Sequence, residues 1–298
     1  MLTNIKTKKI LASVALFAAA LIWGSTFVTM KDTLDSMKPG YLLAVRFSIA
    51  AAFLFLIFAG KLKKLSVGYV VPSMIVGAAT AGAYLVQTYG LQHTTPGKNA
   101  FLTSVYCIFV PFFCWIVRKK RPDIGSFVAA ALCVVGVGLI SMDASDRLSL
   151  GIGEILTLLC GVGYAIQIML MEKYSQKLDT GLLVTMHFAF AAIYCWIFTL
   201  CFEGTPTPIG SGMIFDMLYL AIGASALALL FQNFGVKYMS SSRAAIILSL
   251  ESVFGVIFSV AFGREDGLDV RKGAGFLLVF VSVLLSQIEI KPKKEKPD

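Results

Sequence analysis

The sequence predicts an all-α integral membrane protein of ten transmembrane helices, arranged as two inverted five-helix repeats around a central cavity. Three observations carry this. The chain is 57% hydrophobic and 14% charged over 298 residues, far from the roughly 25% charged of soluble domains, and its mean hydropathy is +0.81. Its apolar residues gather in ten runs, each long enough to cross a hydrocarbon core of about 30 Å. The two halves also echo one another. Gln87-Thr88-Tyr89-Gly90-Leu91 returns as Gln232-Asn233-Phe234-Gly235-Val236, Lys98 as Arg243, Ala100 as Ala245 and Ser104 as Ser249, at an offset of 145 residues. Arg46-Phe47-Ser48-Ile49-Ala50-Ala51 returns as His187-Phe188-Ala189-Phe190-Ala191-Ala192 at an offset of 141. Five crossings per half is an odd number, so the second copy enters the membrane upside down.

The first span, residues 10 to 30, follows Lys6, Lys8 and Lys9. Its apolar run continues through Ile22, Trp23, Phe27 and Val28, too long for the core of a cleaved signal, so the span should be retained. The second and third cover residues 39 to 59 and 69 to 91. In the fourth, 98 to 117, Pro111 interrupts the hydrogen-bond ladder; its repeat position is Val256, so a kink there is not expected to be symmetric. The fifth, 122 to 142, and the sixth, 152 to 172, carry Gly136, Gly138, Gly161 and Gly163, which let backbones approach closely. Residues 180 to 202, 213 to 236 and 242 to 263 form the next three, and 271 to 289 the tenth, beginning near Gly273 and Gly275. The first repeat is assigned residues 1 to 146 and the second 147 to 290. The remainder, 291 to 298, with Pro292, Pro297 and alternating charge, reads as a disordered cytoplasmic tail.

Charge orients the chain. With the N-terminus inside, the inner segments hold seventeen basic residues, among them Lys61, Lys63, Lys64, the run Arg118 to Arg121, Lys173, Lys177 and Lys237, while the outer loops hold seven. This bias predicts that both termini are cytoplasmic. The net charge of +9 then reflects topology and contact with membrane lipid, not nucleic acid, because the basic residues lie in short flanks separated by membrane. The six cysteines all fall in apolar spans without a C-x-x-C pair, so neither a disulfide framework nor a metal site is expected. No P-loop, H-E-x-x-H or G-x-S-x-G pattern occurs, and the chain is read as requiring no cofactor and as no enzyme. Oligomeric state is not legible.

Function is sought among polar residues inside the spans, each costly unless paired or wet. Glu251 lies midway along the ninth span, eight residues or about 12 Å beyond Arg243. It therefore faces a wet cavity, is protonated, or caps a broken helix. Arg46 sits seven residues into the second span, where its guanidinium could snorkel outward; with its repeat partner His187 it reads as a helix-packing pair. Lys98 and Arg243 are a second inverted pair, either interfacial anchors or an electrostatic gate. Trp23 and Thr26 correspond to Tyr164 and Gln167 at an offset of 141, each pair at i and i+3 on one helix face. Gln87, Asn99, Tyr106, Gln232 and Asn233 add hydrogen-bonding groups. Aromatic walls with a few polar handles suit a pocket for a small, partly apolar organic solute; the same residues could also serve as interhelical glue.

Leu21-Ile22-Trp23-Gly24-Ser25-Thr26-Phe27, Arg46-Phe47, Phe101-Leu102-Thr103-Ser104-Val105-Tyr106 and Leu248-Ser249-Leu250-Glu251-Ser252-Val253-Phe254 resemble the EamA family of the drug/metabolite transporter superfamily. The resemblance covers residues 10 to 289. It implies that spans one to four and six to nine surround the cavity, with five and ten outside. Members similar to this one carry a proline after the glutamate of the ninth span, where this chain has Ser252. The resemblance implies a secondary carrier working by alternating access. Its relatives export amino acids, related metabolites or toxic organic compounds, and others carry sugars, nucleotide sugars or phosphorylated sugars. With Lys98, Arg243 and Arg46 as the basic candidates, a neutral or zwitterionic metabolite moving outward fits this sequence better. Protons are the candidate coupling ion, through Glu251. The competing class is a membrane-embedded binding or scaffold protein that transports nothing.

Overall fold

The computed structural model describes residues 2–119, 124–141, 151–204, 210–264, 267 and 269–287. The tail expected at 291–298 and the outer-loop residues 142–150 and 205–209 lie outside them. The described secondary structure is helical throughout. The first span is Leu2–Leu34, the second Pro39–Ile57 and the third Val70–Gln92. The fourth is two helices, Pro96–Ser104 and Tyr106–Arg118, and the fifth is Ile124–Ser141. The sixth is Ile152–Ser175, and the seventh Thr180–Phe198 continues in a π-turn over Thr199–Glu203. The eighth joins Ile214–Leu218, a π-helical stretch Tyr219–Leu227 and Ala228–Tyr238. The ninth is again split, Ser241–Leu248 and Leu250–Ala261, and the tenth is Val270–Gln287. Eight of these are long and apolar enough to cross a membrane. The fifth and tenth carry shorter apolar stretches, Ile124–Leu139 and Gly273–Val283, and pack against each other.

Helix pairing carries the inverted symmetry. The third span packs along the sixth and seventh, and the eighth packs along the first and second. The fourth lies on the sixth as the ninth lies on the first, and the second lies along the seventh. Exchanging each span for its repeat partner maps this set onto itself, as a two-fold axis in the membrane plane requires. The echoed glycines show it at atomic scale. A methyl group on Gly90 would lie 2.6 Å from Thr157 Oγ1, and one on Gly235 2.4 Å from Leu16 Cδ2; Leu16 and Thr157 are themselves repeat partners, 141 residues apart. The fifth and tenth meet at a similar notch, where a methyl on Gly136 would lie 2.8 Å from the Gly275 carbonyl.

Loops assigned by charge to one side meet one another. At one end Lys31 donates to the carbonyls of Leu91, Gln92 and Thr94 at 2.7, 3.2 and 3.0 Å. There Arg264 pairs with Asp32 at 2.7 Å and Lys38 donates to the Glu203 carbonyl at 2.5 Å. At the other end Lys61 pairs with Asp179 at 3.0 Å, Gln176 donates to the Lys237 carbonyl at 3.0 Å, and Lys8 lies 5.5 Å from the Tyr238 ring.

Candidate substrate cavity

Between the two repeats lies a buried cavity, and repeat partners line it. Trp23 and Tyr164, Thr26 and Gln167, and Phe27 and Ile168 face it from the first and sixth spans at the offset of 141. Tyr84 and Leu229, Gln87 and Gln232, Thr103 and Leu248, and Tyr106 and Glu251 face it from the third, eighth, fourth and ninth at the offset of 145. Met30 and Arg46 complete the lining without their partners Met171 and His187. A cavity on the axis between inverted repeats meets equivalent positions from both, so this pairing follows from the topology. Its volume is about 30 Å³, room for roughly two water molecules. The side chains are drawn together, and a solute enters only once they part.

The walls are aromatic with polar handles. The Tyr84 and Tyr164 rings meet edge to face at 5.2 Å, and the Tyr164 hydroxyl donates to Gln87 Oε1 at 2.6 Å. Gln87 Nε2 donates to Thr103 at 3.0 Å, and Gln232 Nε2 donates to Gln167 Oε1 at 3.0 Å. The first repeat thus turns one glutamine inward and the second two. Glu251 Oε1, Tyr106 Oη and Gln167 Nε2 are buried without a well-formed hydrogen bond among the described residues. Buried polar groups normally find partners. Three on one cavity are standing capacity for a polar ligand.

Arg46 does not snorkel. It is 1% exposed and turns into the cavity, where Nε donates to Ser225 Oγ at 2.6 Å and Nη1 approaches Met30 Sδ at 3.2 Å. Its guanidinium lies 5.1 Å from the Tyr84 ring. Inward partners outcompete the interface because the π-helical stretch of the eighth span brings Ser225 to it; the Ser225 hydroxyl also reaches back to the Leu220 carbonyl at 3.0 Å. The same stretch presents the Ala224 carbonyl to Trp23 Nε1 at 2.7 Å. Single π-turns of this kind recur at functional sites. Its repeat region in the third span is regular helix, so the π-helical stretch that meets Arg46 has no counterpart in the other half.

The fourth and ninth spans break at repeat-equivalent points without help from proline. Ser104 ends one half-helix and Ser249 separates the other pair, and Pro111 lies inside continuous helix. The breaks therefore lie away from Pro111, one in each half, and a serine stands at each. Ser104 Oγ donates to the Ala100 carbonyl at 3.0 Å and Ser249 Oγ to the Ile246 carbonyl at 2.6 Å, back-bonding that bends helices. Ser252 contacts Ser104 and donates to the Ser249 carbonyl at 3.0 Å. The ninth-span break sits two residues before Glu251 and helps to aim it. Gly24 lets the first span close on that turn, since a methyl there would lie 2.8 Å from the Glu251 carbonyl.

Five sequence candidates stand off the cavity. Asn99 is fully buried one turn nearer the membrane end than Thr103, donating to Thr157 Oγ1 at 2.8 Å and to the Gln87 carbonyl at 3.3 Å; it is glue among the third, fourth and sixth spans. Asn233 follows Gln232 by one residue, about 100° around the helix, so the two cannot share a face; it is buried outside the lining. His187 is buried and stacked on Phe188 at 4.5 Å. The Gly77 notch presses the third span against its carbonyl, so the Arg46–His187 equivalence is positional only. Lys98 and Arg243 lie in the opening turns of the fourth and ninth spans, outside the lining.

Sequence reading missed Tyr84, Thr103, Leu229, Leu248 and Ser225. Tyr84 stands at i−3 from Gln87, so its face was legible; the others are too plain in composition to stand out. Glu203 was also missed, as an outer-loop acid. Its carboxylate accepts from the backbone N–H groups of Gly40 and Tyr41 at 2.7 and 2.9 Å and from the Tyr89 hydroxyl at 2.7 Å. It caps the second span from the far end of the seventh. At the opposite membrane end Asp179 caps the seventh span itself, accepting from Gly181 and Leu182 N–H at 3.0 and 3.2 Å. Partial burial works against its ionisation, yet the Lys61 ammonium and these two N–H groups hold its carboxyl below the usual carboxylate range.

Two inverted sets of membrane helices closing on an axial, partly polar cavity define a membrane transporter. The particular family follows from comparison: the model of the EamA-like transporter family matches the chain twice, over residues 10–142 and 151–287, and the chain belongs to that family. An uncharacterized transporter of Archaeoglobus fulgidus is 32% identical over 279 residues, covering 94% of this chain and 87% of the other. The uncharacterized transporter YoaV of Bacillus subtilis is 22% identical, with 94% and 97% covered. A solved crystal structure at 15% identity shares the fold with a TM-score of 0.75 over 93% of this chain and 96% of its own.

Proposed function

We propose that this chain is a secondary carrier of the bacterial cytoplasmic membrane, with both termini cytoplasmic, that moves a small neutral or zwitterionic organic metabolite outward by alternating access. An amino acid or a close relative is the solute class in view. The observation that carries this is the cavity lining: seven repeat-equivalent pairs around unsatisfied groups of both hydrogen-bonding senses. Glu251 Oε1 is an acceptor that suits an amine, whereas Gln167 Nε2 and the Arg46 edge suit a carboxylate. Tyr84, Tyr106, Tyr164 and Trp23 supply an apolar wall. One cation in the lining is too few for a sugar phosphate. The chain has no ATP-binding loop, so energy comes from the solute gradient or a coupled ion, with Glu251 as the proton-exchanging group.

The test is uptake and counterflow in proteoliposomes with a panel of labelled amino acids, sugars and sugar phosphates. Counterflow of an amino acid that is lost in Trp23→Ala and Gln232→Ala, with both variants folded and stable in detergent, is the expected result. Binding without counterflow for every compound would favour the non-transporting binding protein instead.

A further inference from the structure

A second concavity opens sideways, away from the axial cavity. It is a groove of about 510 Å³ walled by Leu11, Val14 and Ala15 of the first span, Phe58 after the second, and Phe231 and Phe234 of the eighth. Leu11 and Val14 are 51% and 59% exposed, and the groove floor is closed where Leu16 fills the Gly235 notch. Its position within membrane-crossing helices makes lipid the surrounding medium. Apolar walls alone would take any acyl chain.

What distinguishes this groove is its rim. Three of the elements that wall it reach the same end of the molecule, and each carries a lysine one turn beyond its wall residue. Lys8 precedes Leu11 by three, Lys61 follows Phe58 by three and Lys237 follows Phe234 by three, so each shares the face of its wall residue. The Lys8 ammonium lies 5.5 Å from the Tyr238 ring, and that ring stands 5.0 Å from Phe234. The Lys61 ammonium lies 5.4 Å from the Phe58 ring. The Lys8 and Lys61 ammonium groups are thus held beside the mouth of the groove, Lys61 paired there with Asp179 at 3.0 Å, and Lys237 stands on the helix one turn beyond Phe234. Lysines converging on a cleft between membrane helices bind lipid phosphate groups.

We infer that this groove is a binding site for one anionic phospholipid, an acyl chain lying between the first and eighth spans and the phosphate held by Lys8, Lys61 and Lys237. The site is independent of the axial cavity and of the solute carried. Native mass spectrometry of the full-length protein in detergent tests it, titrating dioleoyl phosphatidylglycerol against dioleoyl phosphatidylcholine. At about 1 kcal/mol per lysine near an anionic surface, or about five-fold in affinity, phosphatidylglycerol should bind roughly ten-fold or more tightly than phosphatidylcholine. The double variant Lys8→Gln, Lys237→Gln should lose roughly ten- to thirty-fold of the phosphatidylglycerol affinity and much less of the phosphatidylcholine affinity, because the choline cation offsets the phosphate that the two lipids share. Filling the groove by Ala15→Phe should weaken both lipids; Leu11→Trp at the exposed wall serves the same purpose if Ala15→Phe fails to elute as folded protein. Equal binding of the two lipids, or unchanged preference in the double variant, overturns the headgroup assignment. Undiminished binding in a folded groove-filled variant overturns the location. Efficient disulfide cross-linking of Val14→Cys between two chains in lipid vesicles would show a second copy in the groove and overturn the proposal outright.

Discussion

Glu251 and Arg46 are the acid and the base among the residues that line the cavity, and their environments differ. Arg46 is anchored by Ser225, Met30 and the Tyr84 face, whereas one Glu251 oxygen has no well-formed partner among the described residues. Arg46→Leu therefore leaves Ser225 Oγ short of a donor and removes the carboxylate partner. Counterflow should fall at least ten-fold with Arg46→Lys retaining part of it, measured in proteoliposomes at saturating protein stability. Glu251→Gln keeps shape and most hydrogen bonding while abolishing titration. It should preserve solute exchange and eliminate accumulation driven by a pH gradient; accumulation that persists would remove Glu251 from coupling.

Helix ends set the second scale. Glu203 caps the second span in trans and Asp179 caps the seventh in cis, one at each end of this antiparallel pair. Truncating an N-cap to alanine costs about 1 kcal/mol, so Asp179→Ala and Glu203→Ala should each lower the melting temperature in detergent by a few degrees. The pH dependence has a definite sign for Asp179. Its folded-state pKa is depressed, so its contribution is fully present above the unfolded value of about 3.9 and disappears as pH falls through the folded value. The melting difference between the parent and Asp179→Ala should hold at neutral pH and shrink below about pH 4. The helix breaks belong to this scale too. They were legible as the Ser104–Ser249 echo, yet Pro111 drew the expectation of a kink because a missing N–H is the stronger single-residue signal. Serine bends a helix only where its hydroxyl turns back on the ladder, and packing decides that.

At the scale of the molecule, hydropathy and the two offsets were enough to predict the spans and their inverted pairing. The cavity was legible where a residue is both polar and repeated, as with Trp23, Tyr164, Gln87 and Gln232. It was illegible where the angle around a helix decides, as with Asn233 beside Gln232, and where a π-turn shifts the register, as at Ser225. Long side chains on short spans also have two ways to satisfy themselves. Arg46 took the inward one because Ser225 of the other repeat and Met30 and Tyr84 of its own meet it there, and nothing in its own span foretold them. The whole account rests on the axial cavity opening in turn to each side of the membrane. In a cysteine-free background, Tyr164→Cys placed in right-side-out and inside-out vesicles and treated with a membrane-impermeant thiol reagent reads this directly. The cysteine should be labelled from both sides and protected from both by a transported solute; labelling from one side only, under every condition of solute and pH, would contradict alternating access.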